Sequence, residues 1–247
     1  MPSSLFHTLN ISRQDILSHM QDLSVTSSNL ANVNTAGYKT TRSNFQEMLN
    51  QQFKEGTQLR ATQTLTMQGS LRTSTNSLDW AIQGEGYFSV TLPDGTVGYT
   101  RDGQFAVDQD QTLVTAGGYP VVWDGEIAEG MTNISVSSTG TVSATDDTGA
   151  TVEVGTIQLT RFPNPSGLTD NGNNILLESD TSGAAQTGDP GSENFGTLGG
   201  FKVEQSNVDL GQEMTRLITL QRALTMSLKA FQQTDTMISE AINLRKA

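Results

Sequence analysis

From Leu5 onward apolar side chains recur at Leu5, Leu9, Ile16, Met20, Leu23 and Leu30, with Ser12 and Ser27 in the same seam and one extra four-residue step at Ile16 to Met20. This heptad-like spacing predicts a helix of about twenty-eight residues, roughly 40 Å long and capped at Ser3 or Ser4. The other end of the chain repeats the design. Leu210, Met214, Leu217, Gln221, Leu224, Leu228, Phe231, Asp235, Ile238 and Ile242 keep a four-three alternation without a slip, behind Asp209 as N-cap. Gln221 and Asp235 are polar intrusions of the kind that fix register between helices at a cost in stability.

Between these ends the period falls to two. Strands are expected over 86–92, 97–101, 105–108, 112–115, 119–123, 134–138, 141–145 and 151–162, joined by Pro93-Asp94-Gly95 and Asp102-Gly103 turns. Residues 163–200 hold eight glycines and three prolines and read as loops around one short strand at 175–178. In 40–77 only Asn44-Phe45-Gln46-Glu47, followed by Met48, Leu49 and Phe53, suggests a short capped helix, and the rest reads as extended. The fold class is therefore α+β: terminal heptad α-helices of coiled-coil type flanking a central all-β, turn-rich domain. The expected divisions are an N-terminal helix over 1–38, a linker segment over 39–77, a β domain over 78–200 and a C-terminal helix over 201–247. Two helices of this polarity bury little as a lone pair, so copies of the chain or other partners are expected to complete the helical core.

Charge sharpens that division. The chain carries 14 Lys and Arg against 26 Asp and Glu, a net charge of −12, which disfavours nucleic acid or an anionic membrane as partner. Residues 61–200 hold three of the basic and seventeen of the acidic side chains, whereas both ends are nearly neutral. Neutral ends can pack on copies of themselves, and an acidic middle suits solvent. Cysteine is absent, which excludes disulfides, thiolate metal sites and cysteine nucleophiles. The opening residues lack the charged and apolar regions of a cleavable signal, and no stretch approaches eighteen apolar residues.

Candidate chemistry is thin. Gln83-Gly84-Glu85-Gly86-Tyr87-Phe88 has two of the three glycines of a dinucleotide loop and is followed by strand-forming residues, so it reads as a strand entrance. Asp108-Gln109-Asp110 opens like a calcium loop, but Leu113 stands where glycine is needed and Tyr119 where glutamate should bind. His7 and His19, twelve residues apart on one helix, lie about 18 Å from each other and cannot share a metal. No catalytic, cofactor or metal residue is therefore expected, although a hydrolase using acidic residues of the β domain, such as Asp102 or Asp108, stands as the rival from the enzyme class.

Several segments carry a resemblance. SNLANVNTAGYK at 28–39, MQGSLRTSTNSLDWAIQGEGYFSV at 67–90, YTRDGQF at 99–105, LVTAGGYPV at 113–121 and SNVDLGQEMTRLITLQRALTMSLKAFQQTD at 206–235 are similar, in order and over nearly the whole chain, to the bacterial flagellar rod and hook family. The resemblance implies a non-enzymatic building block exported through the flagellar type III apparatus without a cleaved signal. Such a protein would sit in the periplasmic rod of the basal body and assemble helically with itself, other rod proteins and the hook protein, within surrounding outer rings. Its terminal helices would form an inner tube and its β domain an outer layer. Within the family the compact β domain points to a rod member, proximal or distal, rather than a hook member. Carried over by position, Leu30, Asn32, Asn34, Gly37 and Tyr38 match the N-terminal motif, and Ser206, Asn207, Val208, Glu213, Met214, Gln221, Arg222, Ala223, Lys229 and Asp235 match the C-terminal one. The resemblance implies that these are assembly contacts. Asn29, Asn32 and Asn34 supply side-chain amides able to bond backbone or neighbouring helices where the helix ends, and Gly37 permits a turn with positive φ.

Overall fold

The computed structural model describes residues 2–47 and 57–246. They form two compact units: the described residues within 1–32, 40–65 and 208–247 make the first, and residues 33–39 with 66–207 make the second.

The first unit is built from two long helices and a ribbon. Helix α1 spans Pro2–Ala31 and α2 spans Leu210–Lys246. Because α1 begins at Pro2, Ser3 and Ser4 lie inside it rather than capping it. The start of α2 follows the expected chemistry: Asp209 Oδ1 accepts the backbone N–H groups of Gly211 at 2.9 Å and Gln212 at 3.1 Å. The helices run antiparallel, since Asp15, Asp22 and Asn29 meet Ser227, Arg216 and Glu213 in that order. The ribbon pairs β1 (Thr41–Glu47) with β2 (Thr57–Thr64), with an irregularity between Asn44 and Phe45. The expected helix at Asn44–Glu47 is thus a strand, because cross-strand partners outweigh the local capping pattern; its continuation at 48–53 lies outside the described residues.

In the helix pair the face in contact differs from the expected seam. On α2 the row Leu217, Leu224, Phe231 and Ile238 is half-buried and runs beside buried Glu213, Leu220 and Thr234. The alternate positions of the expected heptad, Met214, Gln221, Leu228 and Asp235, are exposed. On α1 Met20 and Ser27 are exposed, and the buried row is Ser18, Asp22, Thr26 and Asn29. The four-three spacing survives on α2, but the packed face is rotated by about one position, and on α1 it is polar.

The second unit is all β. In chain order its strands are β3 (Leu71–Thr73), β4 (Trp80–Gln83), β5 (Phe88–Thr91), β6 (Val97–Thr100), β7 (Phe105–Val107), β8 (Leu113–Thr115), β9 (Asp124–Gly125), β10 (Thr132–Val136), β11 (Thr141–Thr145) and β12 (Thr151–Thr156). They continue as β13 (Leu159–Arg161), β14 (Thr169–Asp170), β15 (Leu176–Leu177), β16 (Gln186–Gly188), β17 (Thr197–Gly200) and β18 (Lys202–Glu204). Two four-stranded sheets have the orders β10-β11-β12-β9 and β14-β15-β6-β5, and the remaining strands pair as β7-β8, β13-β16, β17-β4 and β18-β3. The stretch 163–200 therefore holds four strands where one was expected. The expected strand over 119–123 contributes only isolated bridges at Pro120 and Val121.

The core gathers positions from both four-stranded sheets and from the β17-β4, β7-β8 and β13-β16 pairs around Trp80, Phe88, Phe105, Leu113, Val142 and Leu159. Trp80 and Phe88 pack edge-on against Phe105, at centroid distances of 5.4 and 5.0 Å, and the Trp80 indole N–H donates to the Ser77 carbonyl at 2.8 Å. The large buried aromatic therefore has its polar atom satisfied.

Candidate functional site

Two constellations, one in each unit, draw in Gly37, Tyr38, Asn207 and Glu213 from the N- and C-terminal motifs. The β unit takes the chain first through 33–39, again from 66, and releases it last through 203–207, and the first and last of these segments are tied together. The Gly37 N–H donates to the Glu204 carbonyl at 2.8 Å, and the Asn207 N–H donates to the Tyr38 carbonyl at 3.3 Å. Gly37 adopts φ +67°, as the sequence suggested, and a Cβ there would lie 2.5 Å from the Arg101 carbonyl carbon and 2.6 Å from the Asp102 nitrogen. Both the conformation and the close backbone approach require glycine.

Beneath these rungs sits the Glu204 carboxylate, in a residue only 1% exposed. Oε1 accepts from Lys39 Nζ at 2.5 Å and from the Gly69 N–H at 2.9 Å, and Oε2 from Arg101 NH1 at 3.4 Å. Lys39 also donates to the Met67 carbonyl at 2.9 Å, as does the Asn207 side-chain amide at 3.0 Å. The Arg101 guanidinium lies 5.1 Å from the Tyr87 ring centroid and donates to the Gly84 carbonyl. Burial pulls the Lys39 ammonium below the ordinary lysine pKa, with Glu204 opposing that shift, and burial pushes the Tyr87 phenol up. Asn174 closes the site from outside by donating to the Ala36 carbonyl at 2.8 Å. One carboxylate thus ties its own stretch of chain to three others.

Asp102, next to Arg101, is raised above the usual carboxylate range by burial; the Gln104 N–H pulls it down and Asp79 adds to the rise. A carboxyl raised in the folded state stabilises the fold below its unfolded pKa, and that contribution is lost as pH rises through the folded value. Asp102→Asn, which cannot ionise and keeps an acceptor for Gln104, is therefore expected to gain stability relative to the native chain at pH 7 and to lose the gain as pH falls below the raised value. Urea midpoints measured from pH 3 to 7 check this; a pH-independent difference between the two proteins contradicts it.

The second constellation lies in the helical unit. Asn29, 1% exposed, donates through Nδ2 to the Thr41 carbonyl at 2.9 Å and accepts the Thr41 N–H through Oδ1 at 3.0 Å, so its amide pairs with β1 as a strand neighbour would. The same Nδ2 reaches Glu213 Oε1 at 3.4 Å. Asn32 donates to the Ser28 carbonyl at 2.9 Å, serving the carboxyl end of α1. Leu30 is half-buried and Asn34 is exposed.

Of the C-terminal motif, Ser206, Asn207 and Val208 are half-buried, Glu213 is buried and Ala223 is half-buried. Met214, Gln221, Arg222, Lys229 and Asp235 are exposed along α2. The structure thus brings Gly37, Tyr38 and Asn207 together and sets Glu213 against Asn29. Sequence reasoning missed Glu204 and Asp22, for which the chain offers no local signal beyond charge, and used Lys39 and Arg101 only as parts of motifs; it places Glu213, Arg216 and Arg222 on the outer face of the C-terminal helix, whereas Glu213 is buried and Arg216 is half-buried against Asp22. Among the described residues no helix is long and apolar enough to cross a membrane.

Comparison with known proteins decides the family. The chain matches three family models: flagella basal body rod protein at 20–39, flagellar hook protein FlgE/F/G D1 domain at 81–144, and flagellar basal body rod FlgEFG protein C-terminal at 202–244. It is 37% identical over 240 residues to the flagellar basal-body rod protein FlgG of Borreliella burgdorferi, covering 88% of this chain and 91% of the relative. It is 36% identical over 245 residues to that of Caulobacter vibrioides, covering 91% and 94%. The chain belongs to the flagellar basal-body rod protein family. The flagellar hook-basal body complex protein FlhP of Bacillus subtilis is also similar, at 28% identity over 88% of this chain and 91% of the relative. For a flagellar rod protein, a structural component of the basal body, the two constellations are fittings: one closes the β unit on itself, and the other seats the terminal helices against each other. The three matched segments fall on α1 with the turn after it, on the β unit, and on β18 with α2.

Proposed function

We propose that this chain is a subunit of the distal rod, polymerising helically with copies of itself through its terminal helices into a hollow shaft that transmits torque from motor to hook. On this reading 1–38 and 201–247 form the axial core, 39–77 bridges neighbouring subunits, and 78–200 forms an outer layer. The rod meets other rod proteins and the hook protein, within the outer rings, and its subunits reach the periplasm through the flagellar type III apparatus without a cleaved signal. The observation that carries the reading is the apolar surface left on the helices: Leu17 and Met20 on α1, and Leu210, Met214, Ile218, Met226, Leu228 and Met237 on α2, are each more than 40% exposed. A helix pair that turns such side chains outward is completed by packing on further helices. Met214, Gln221, Arg222, Lys229 and Asp235, all exposed along α2, make the contacts between copies on this reading.

The triple variant Met214→Glu, Ile218→Glu and Leu228→Glu is expected to leave the urea unfolding of the β unit unchanged, yet to abolish swimming when it replaces the native chain in a strain lacking it. A chain lacking residues 208–247 is expected to fail in the same assay. Native swimming from either one overturns the reading.

A further inference from the structure

The face along which α1 meets α2 is polar where paired helices are ordinarily apolar. Ser18, Asp22, Thr26 and Asn29 are 5, 7, 1 and 1% exposed, and Glu213 across from them is 8% exposed. Among the described residues, side-chain hydrogen bonds that cross the pair include Asn29 to Glu213, Arg216 to Asp22 at 2.8 Å and Ser227 to Asp15 at 2.5 Å. The arrangement carries a polar cost. Thr26 Oγ1 and Glu213 Oε2 are buried without a hydrogen-bond partner, a cost that an apolar seam would not incur, while Met20, Met214 and Ile218 stand in solvent.

The apolar part of the seam cannot define an alignment by itself. Leu217, Leu224, Phe231 and Ile238 repeat every seven residues, so a slip of one heptad, about 10.5 Å along the axis, puts another apolar side chain in the place of all but the end member of the row. The Asp22 to Arg216 pair does not tolerate that slip in either direction. The slip sets Asp22 against Ala223 or Asp209 in place of Arg216, and Asp15 against Leu220 or Thr234 in place of Ser227. A largely buried carboxylate then loses its partner or faces another.

We propose that this polar seam is a register key: Asp15, Asp22 and Asn29 on α1, with Ser227, Arg216 and Glu213 on α2, fix the direction and axial offset of the helix pair, so that its exposed apolar side chains form one defined contact surface for a second copy of this chain. The proposal rests on the rod reading for the identity of that partner. The six side chains are positioning residues; the contact with the neighbouring copy is made by the outward apolar ones.

The absence of native cysteine makes the alignment directly measurable. In the full-length purified protein, oxidation of Asp15→Cys with Ser227→Cys reports the observed register, and Asp15→Cys with Leu220→Cys reports the one-heptad slip. With the rest of the key native, the first pair is expected to cross-link at least about tenfold more than the second, the ratio set by ~1.4 kcal/mol. When Asp22, Asn29, Glu213 and Arg216 are all changed to leucine, helicity is expected to persist and the two yields to converge. Comparable yields with the native key, or an undiminished preference in the leucine background, overturn the proposal.

A second measurement uses function. Asp22→Arg and Arg216→Asp are each expected to shrink the swimming halo severely, and the two together to restore it. Native halos from both single variants, or a double variant no better than either, also overturn it. If the charge variants swim normally while Met214→Glu, Ile218→Glu and Leu228→Glu still abolish swimming, the register key falls and the rod reading stands.

Discussion

Glu204→Gln is expected to lower the stability of the β unit by about 3–5 kcal/mol, the cost typical of removing one partner from a buried ionic cluster. The carboxylate faces two cations, Lys39 at 5% and Arg101 at 6% side-chain exposure, and takes a backbone N–H from Gly69. Glutamine removes the charge and leaves both cations buried without it. Both tryptophans, Trp80 and Trp123, lie in this unit, so their fluorescence in urea follows its unfolding separately from the helices. A drop below about 1 kcal/mol, the scale of an ordinary neutral hydrogen bond, contradicts the role assigned to the cluster. The companion variant Lys39→Met, Arg101→Met, Glu204→Leu is expected to recover most of the loss, since apolar replacement of a whole buried ionic group is often neutral.

The second large effect is expected at Gly37. Valine there must adopt φ +67° and place its Cβ 2.5 Å from backbone atoms of Arg101, and β-branched residues are poorly tolerated at positive φ. The obstruction is main chain rather than the far end of a flexible side chain, so relief requires moving the 33–39 segment off residues 101–102. That movement breaks the Gly37 to Glu204 rung and opens the cluster below it. A loss of at least about 3 kcal/mol follows from strain and lost pairing together, read as a lower urea midpoint by tryptophan fluorescence and as new proteolytic cleavage near residues 33–39. Gly37→Val with a native midpoint and native protease resistance would show that the close approach carries no such constraint.

What the chain disclosed in advance depended on how far apart the interacting residues lie. The Asp209 cap, the long helices and the β11 strand at Thr141–Thr145 follow from neighbours within a few residues, and local rules found them. Strand β17, Thr197–Gly200, was hidden because two of its four residues are glycine, which locally signals a loop; its partner is β4, Trp80–Gln83, more than a hundred residues earlier. Glu204 and Arg101 were hidden because a charge in sequence reads as surface, and only chain closure over a separation of 165 residues brings Lys39 to Glu204. On α2 the heptad spacing was legible, but two adjacent faces share the row Leu217, Leu224, Phe231 and Ile238. The choice between them is made by contacts from Asp22 and Asn29 on the other helix, and no pattern within α2 encodes it.

The pairing of residues 37–38 with 204–207 also has a mechanical consequence. Where the chain enters and leaves the β unit, two backbone rungs and the Glu204 cluster join the strands directly. A pull applied to the flanking segments is therefore borne at that point, and the sheets and aromatic core behind it stay out of the load path until the clamp fails. In a stretching experiment the unit should hold its full length up to one rupture force set by the clamp, then extend in a single large step.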